Sequence, residues 1–318
     1  MKIMKEEATV KAIVINQYGS KDVLEEKEVE KPAIGDDQVL VENHATSINP
    51  IDWKLREGYL KQMLDFEFPI ILGWDVAGTI SEVGKNVSGY AVGDRVFARP
   101  ETTNQGTYAE YVPVDAHLLA PMPDSMSYEE AAAIPLAGLT AWQCLVDFGE
   151  LKKGDNVLIH AGAGGVGSYA IQIAKSFGAH VATTASGKNE QFVRSLGADE
   201  FINYREQDFS ELLSDYDLVV DTMGGKVQED SFKVLKKGGK LVSIADQPSE
   251  DYAADFTTKF LWLEPNGEQL KKLADLFEKG DLKPVIGETF DLSDQGLKDA
   301  HALSETHHAK GKIIIKVK

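Results

Sequence analysis

The sequence predicts an α/β protein in which a parallel, doubly wound sheet follows a mostly antiparallel, barrel-like region. Three observations predict it. Asp155 to Gly167 reads as a strand running into a glycine-rich turn, and Ser168 to Phe177 continues as a helix. Beyond it, apolar strand-like runs alternate with helical stretches, the pattern of successive βαβ units. Before it, residues 1 to about 130 hold short strands punctuated by Gly and Asp, without that alternation.

Val10 to Ile15 alternates weakly and reads as a strand ending at Tyr18-Gly19. Gln38 to Asn43 is a second, after the turn Pro32 to Asp37. Val76 to Val83 and Asp94 to Ala98 follow, and Tyr108 to Val112 makes one more. A short helix over Pro50 to Glu57 interrupts the series. Pro121 to Ser127 is a linker, and Ser127 with Glu130 forms a capping box that opens a helix through Ala131 to Ala133. Thr140 to Phe148 is again helical in character. In the α/β half, Val157 to Ile159 and Val181 to Ala185 flank the glycine turn. Phe201 to Tyr204, Leu218 to Asp221 and Leu241 to Ala245 are further strands, with helices over Lys188 to Leu196 and Lys226 to Leu235. Phe256 to Leu263 reads as a last strand at the sheet's edge, and Gln269 to Lys279 as an amphipathic helix. Ile313 to Val317 is a strand outside the alternation, which points to a tail returning to the first domain.

At 318 residues the chain has room for two domains with separate cores. Its 43% hydrophobic and 26% charged residues are the balance of a soluble globular protein. A net charge of −18 argues against nucleic acid or an anionic membrane surface as partner. The one cysteine, Cys144, excludes an internal disulfide and a cysteine cluster for zinc. Met1 to Glu7 lacks the apolar core of a secretory signal, and no apolar run reaches the roughly 20 residues of a membrane span. A cytoplasmic protein is expected.

Gly162, Gly164 and Gly167 give G-x-G-x-x-G where strand must turn into helix. The first glycine permits the tight turn, the second lets a pyrophosphate approach the backbone, and the third lets helix pack on strand. The loop Gly162-Ala163-Gly164-Gly165-Val166-Gly167 therefore reads as a dinucleotide site, with Gly178 as C-cap of the helix. The end of the next strand selects the dinucleotide. An NAD site places an acid there, about 20 residues past the glycines, for the ribose 2′-hydroxyl. This chain has Ala185-Ser186-Gly187-Lys188 and no carboxylate before Glu190. The Ser186 hydroxyl and the Lys188 cation suit a 2′-phosphate, so the cofactor reads as NADP(H). An ordinary glycine turn and a solvated Ser-Gly-Lys loop are the structural alternatives.

Several further motifs resemble one family. They are Ser47-Ile48-Asn49-Pro50-Ile51-Asp52, Leu72-Gly73-Trp74-Asp75-Val76-Ala77-Gly78, Val92-Gly93-Asp94-Arg95-Val96, Gly106-Thr107-Tyr108-Ala109-Glu110-Tyr111, Leu136 to Ala141 and Gly197 to Tyr204. With the glycine loop they resemble a medium-chain dehydrogenase/reductase of the zinc-free quinone oxidoreductase and alkenal or enone reductase type. The resemblance implies a GroES-like catalytic domain over 1–130 and 266–318, and a Rossmann cofactor domain over 131–265. Zinc members carry Gly-His-Glu where this chain has Gly73-Trp74-Asp75, and they use cysteines that are missing here. A zinc alcohol dehydrogenase is therefore disfavoured. His44, His117, His160 and His307-His308 remain as candidate ligands, with surface or edge histidines the alternative.

Without a metal to stabilise an alkoxide, reduction of an already polarised acceptor is the expected chemistry. A quinone or the β-carbon of an α,β-unsaturated aldehyde or ketone fits. The resemblance puts Asn49 near the nicotinamide and Thr140 near its carboxamide or phosphate. It also adds Tyr204 and Lys310 to Ser186 and Lys188 around the 2′-phosphate. Lys54 stands where many relatives have tyrosine; it could stabilise an enolate, or be solvated or paired with Asp52. Tyr59 is a second donor candidate. In relatives the last strand pairs with its two-fold mate, so a homodimer is expected. A non-catalytic NADPH-binding protein of the same fold is the alternative, since some members serve as lens proteins.

Overall fold

The computed structural model describes residues 9–318, so the reading of Met1 to Glu7 lies outside the described residues. The chain divides into two compact units. One takes in residues up to Leu136, Pro265–Ala274 and Pro284–Lys318; the other takes in Ala137–Glu264 and Asp275–Lys283.

In the first unit the strand Gln38–Ile48 is the organiser. It pairs antiparallel with Val76–Val83, with Tyr111–Asp115 and with the terminal strand Lys312–Lys316. Arg95–Ala98 and Leu119–Pro121 extend the sheet beyond Val76–Val83. Val39, Val41, Val76, Ile80, Val96, Val112 and Val114 fill its apolar interior. The strand runs five residues past the Asn43 boundary that alternation gives. Thr46 and Ser47 are buried and polar, and the distant C-terminal tail supplies their strand partners, Ile315 and Ile314. The pairing Ile313↔Ile48 shows that the tail does return to this unit.

Three other differences have local causes. Glu25–Glu30 pairs with Thr9–Ile15, but its charged, exposed face carries no apolar signal. The strand expected over Tyr108 to Val112 begins at Tyr111 instead. Tyr108 spends its backbone on Leu72 and Ile13, with N–H···O=C contacts of 3.0 and 2.8 Å. Ile286–Asp291, parallel to Lys312–Lys316, and the helix Asp294–Glu305 complete the unit. Ser293 caps that helix, accepting from the Gly296 N–H at 3.0 Å, and Leu297, Ala300 and His301 form its buried stripe.

The second unit is a six-stranded parallel sheet in the order Glu200–Asn203, His180–Ala185, Asn156–Ile159, Tyr216–Asp221, Leu235–Ser243 and Thr257–Phe260. Chain order therefore steps outward from Asn156–Ile159 and then reverses to its other side, a doubly wound sheet. Val157, Leu158 and Ile159 are fully buried, as a strand covered on both faces requires. The helix following the glycine turn is Gly165–Ser176. Phe177 caps it and Gly178, at φ +80°, donates to the Lys175 carbonyl at 2.9 Å. The expected last strand shortens to Thr257–Phe260 but does sit at the edge. Gln143–Phe148 is a π-helical continuation of Pro135–Trp142.

Candidate functional site

The glycine loop of the second unit is built as a main-chain cradle. A Cβ on Gly162 would stand 2.1 Å from the Thr183 hydroxyl, and one on Gly167 would stand 2.4 Å from the Ala161 carbonyl. Both positions are closed to any side chain. Gly164 differs: an added Cβ meets only the Ala161 carbonyl, at 3.2 Å, so this position is tight but far less closed than the other two. Gly165 and Val166 begin the helix Gly165–Ser176, whose first N–H groups lack intrahelical partners and carry the positive end of its dipole. Ala163 is 8% exposed beside them. A main-chain cradle facing a helix N-terminus fits the pyrophosphate of a dinucleotide.

The two strands next to the glycine loop end side by side. Ala185 pairs with Asn203, and the Tyr204 N–H donates to the Ala185 carbonyl at 3.3 Å. Ser186 and Tyr204 thus leave the sheet together. Ser186 is buried and its hydroxyl accepts from the Asn189 side-chain amide at 3.2 Å. Lys188 is exposed and makes no ion pair among the described residues, while the next acid along the chain, Glu190, is held by Arg194 at 2.9 Å. Tyr204 is 54% exposed, with the Arg205 guanidinium 5.8 Å from its ring centre. Sequence reading passed over Arg205; its signal was a cation directly after the strand-end tyrosine. Thr140 is buried in the helix Pro135–Trp142 of this unit.

His160 is part of the same unit and is buried. Its Nδ1 lies 3.1 Å from the Thr184 hydroxyl and its Nε2 2.9 Å from that of Ser231. Burial pushes its pKa down to about 4, so it is neutral and internally satisfied.

The first unit holds a different kind of site, made of buried side chains. Its geometry follows from strand register. Ile313 opposite Ile48 brings Lys312 to Asn49, and Ala77 opposite Ala45 brings Asp75 to Ser47. The Asn49 side-chain nitrogen donates to Asp75 Oδ2 at 2.7 Å, and the Lys312 ammonium donates to Asn49 Oδ1. Asp75 also accepts from the Ser47 hydroxyl at 2.5 Å and from the Leu136 N–H at 2.8 Å. Lys312 donates to the Ile48 carbonyl at 3.1 Å and stands 3.6 Å from Asp75. Burial lowers its pKa, opposed by the Asp75 carboxylate.

Asn49 also precedes the helix Pro50–Arg56, where its N–H donates to Asp52 Oδ2 at 2.8 Å. The Tyr108 hydroxyl donates to the same oxygen at 2.8 Å and lies 3.2 Å from His301 Nε2. His301 Nδ1 in turn lies 3.0 Å from Arg56, which pairs with Glu305 and Glu57. Arg56 can only donate, so His301 accepts at Nδ1 and carries its proton on Nε2, toward Tyr108. Burial and the Arg56 cation push His301 down to about 3. Burial pushes Asp52 up to about 7 against the two hydrogen bonds that favour its anion, and its Oδ1 is buried without a partner.

Lys54 and Tyr59 are not in this network. Lys54 is exposed, its ammonium 5.8 Å from the Trp53 ring centre, and it does not pair with Asp52, which is turned inward. Tyr59 is 68% exposed and bonds Glu57, with its ring 6.4 Å from Trp53. The two share an exposed aromatic patch with His307, 5.8 Å from Trp53. Lys310 is exposed just before Gly311, whereas Lys312, two residues on, is the buried cation. Trp74 is fully buried and donates to the Thr103 carbonyl at 3.3 Å. Among the described residues no cluster of His, Cys, Asp and Glu is arranged to hold a metal ion.

Residues 35–124 match a family model described as an alcohol dehydrogenase GroES-like domain, and residues 196–315 match one described as a zinc-binding dehydrogenase. A 2-methylene-furan-3-one reductase of Solanum lycopersicum is 39% identical over 315 residues, covering 96% of this chain and 79% of that protein. The chain belongs to the medium-chain dehydrogenase/reductase family. Among its relatives in that family is an NADPH-dependent alkenal/one oxidoreductase of Arabidopsis thaliana, chloroplastic, 38% identical over 96% of this chain and 79% of its own length. The solved quinone oxidoreductase from Coxiella burnetii superposes with a TM-score of 0.88 at 37% identity, covering 98% of this chain and 100% of its own. The GroES-like and Rossmann architecture expected from the motifs is the one this dehydrogenase/reductase has.

Proposed function

We propose that the protein is an NADPH-dependent reductase of quinones or of α,β-unsaturated aldehydes and ketones, and that it works without zinc. The observation that carries this reading is what surrounds Ser47 and Asp75. Where zinc relatives are expected to hold a metal, this chain has a hydroxyl, a carboxylate already taking three hydrogen bonds, and Trp74 in the core. The names of the relatives support the reaction class.

When bound, NADPH supplies a hydride to an electron-poor carbon. The protein's part is to bind, orient and stabilise charge. The Gly162–Gly167 loop and the helix N-terminus behind it would hold the pyrophosphate. Ser186, Lys188, Tyr204 and Arg205 would take the 2′-phosphate; the strand-end segment Ala185 to Lys188 carries no carboxylate, which supports NADP(H) over NAD(H). Thr140, Lys310 and Asn49 are assigned to the cofactor on the family resemblance, Asn49 at the nicotinamide. Negative charge gathers on the acceptor's oxygen as hydride arrives, and Lys54 or Tyr59 would stabilise it or supply a proton. The exposed patch around Trp53 leaves both accessible.

We propose a cytoplasmic location on the sequence reading alone; no helix among the described residues is long and apolar enough to cross a membrane. The edge strand Thr257–Phe260, with Trp262 exposed beside it, supports a homodimer joined edge to edge. Sedimentation at micromolar concentration should give twice the chain mass, and a clean monomer would refute it. The reaction is tested by NADPH consumption with a panel of quinones and enones, with and without chelator. Consumption indifferent to chelator supports the proposal. Binding without consumption would leave a non-catalytic NADPH-binding protein.

A further inference from the structure

We infer that Lys312 and Asp75 are positioning residues that lock the Asn49 carboxamide in a single orientation and so aim its remaining N–H at a ligand carbonyl. The inference rests on the reading above that Asn49 meets the nicotinamide end of the cofactor. It goes further by naming what gives Asn49 its direction.

A carboxamide has two nearly isosteric ends and can usually turn over. Here the two neighbours remove the choice. Asp75 Oδ2 sits 2.7 Å from the nitrogen, and an ionised carboxylate can only accept. The Lys312 ammonium sits on the oxygen and can only donate. A flipped amide would set oxygen against carboxylate and NH₂ against ammonium, losing two charge-assisted hydrogen bonds at once. One N–H of the amide remains uncommitted by these two partners. The Asn49 backbone is held as well, by Asp52 at 2.8 Å, so neither the residue nor its side chain can swing away.

The surroundings fix the two locking groups in turn. Asp75 takes the Ser47 hydroxyl and the Leu136 N–H, and Lys312 takes the Ile48 carbonyl. Ser47, Asn49, Asp75 and Lys312 are all nearly or fully buried. A buried Lys–Asp pair is poor evidence for stability, because apolar residues of similar volume commonly serve as well. Orientation of Asn49 is what a hydrophobic pair could not provide.

The test is a double-mutant cycle read in two ways: NADPH affinity by fluorescence titration of the cofactor alone, and kcat/KM with a quinone or enone. Lys312→Met and Asn49→Ala should each weaken both by about ten- to a hundredfold. The double variant should be no worse than Asn49→Ala, because Lys312 acts only through Asn49. Lys312→Gln retains a donor for the Asn49 oxygen and should stay within about threefold of wild type; it also serves if Lys312→Met does not fold. Additive effects, or a Lys312→Met that melts lower but binds and turns over normally, would overturn the positioning role. If Asn49→Ala itself binds NADPH like wild type, the assignment of Asn49 to the cofactor falls and this inference with it. A wild-type protein that binds NADPH yet consumes it with no acceptor refutes the proposed reaction, while the titration arm still decides the positioning role.

Discussion

The two units build their candidate sites from opposite materials. In the second unit the cradle is main chain: glycines at 162, 164 and 167, and the first turn of one helix. In the first unit the site is a set of buried side chains, Ser47, Asn49, Asp52, Asp75, Tyr108, His301 and Lys312, drawn from separate segments. The two sites therefore tolerate different changes. A main-chain cradle fails only where a Cβ is forced in or the helix moves. A side-chain network fails wherever a single donor or acceptor loses its partner.

The largest expected effect breaks the comparison from the glycine side. Gly162→Ala and Gly167→Ala force contacts of 2.1 and 2.4 Å and should abolish NADPH binding together with a large drop in melting temperature. Gly164→Ala meets nothing closer than 3.2 Å and should keep the melting temperature while affinity falls. Calorimetry beside fluorescence titration separates the two; parallel losses in all three would mean the cradle is merely structural.

Next in size is the pH response of the buried network. Asp52 titrates near 7 in the folded protein, against about 3.9 unfolded. The folded state therefore binds this proton more tightly, and the contribution is lost as pH rises from about 4 through 7. Asp52→Asn cannot ionise and keeps an acceptor for Asn49 and Tyr108. The gap between the two denaturation curves should widen in its favour by up to about 4 kcal/mol between pH 4 and 8. His160 and His301, both pushed down by burial, act in the opposite sense, but equally in both proteins. Curves that stay parallel would show that Asp52 is already ionised at pH 4.

A smaller effect sharpens the cofactor assignment. Lys188→Ala should cost NADPH about 1.5–3 kcal/mol of binding, roughly ten- to a hundredfold, and leave NADH nearly unchanged. Equal weakening of both would move the 2′-phosphate elsewhere. Smallest is Lys54→Met: if the exposed ammonium stabilises the developing enolate, kcat falls several-fold with NADPH affinity intact. Unchanged turnover would remove Lys54 from the chemistry.

The same contrast explains what could be read from the chain. The doubly wound sheet and the glycine loop are written locally, in apolar runs separated by turns, and the strand Asn156–Ile159 lies one residue from its reading. The capping box at Ser127 and Glu130 is equally local, and both of its hydrogen bonds are present. Lys312 was hidden because a lysine beside Gly311 near the end of the chain resembles a solvated tail charge. Only the pairing of Ile313 with Ile48 buries it. His301 lay in a helix that sequence reading left unassigned, although Ser293 and the spacing of Leu297, Ala300 and His301 mark it. Asp52 and Tyr108 were visible as motif members, but their contact spans 56 positions and no periodicity reports it.

The proposed reaction is hydride transfer from bound NADPH to an activated acceptor without zinc. It is tested most directly by one assay on protein stripped of metal: NADPH oxidation with quinones and enones beside NADP reduction with ethanol and benzyl alcohol. Rapid NADPH oxidation by at least one quinone or enone, unaffected by chelator, is expected, with alcohol oxidation far slower. Alcohol oxidation faster than reduction of every acceptor tried, or activity restored only by added zinc, would contradict the proposed reaction.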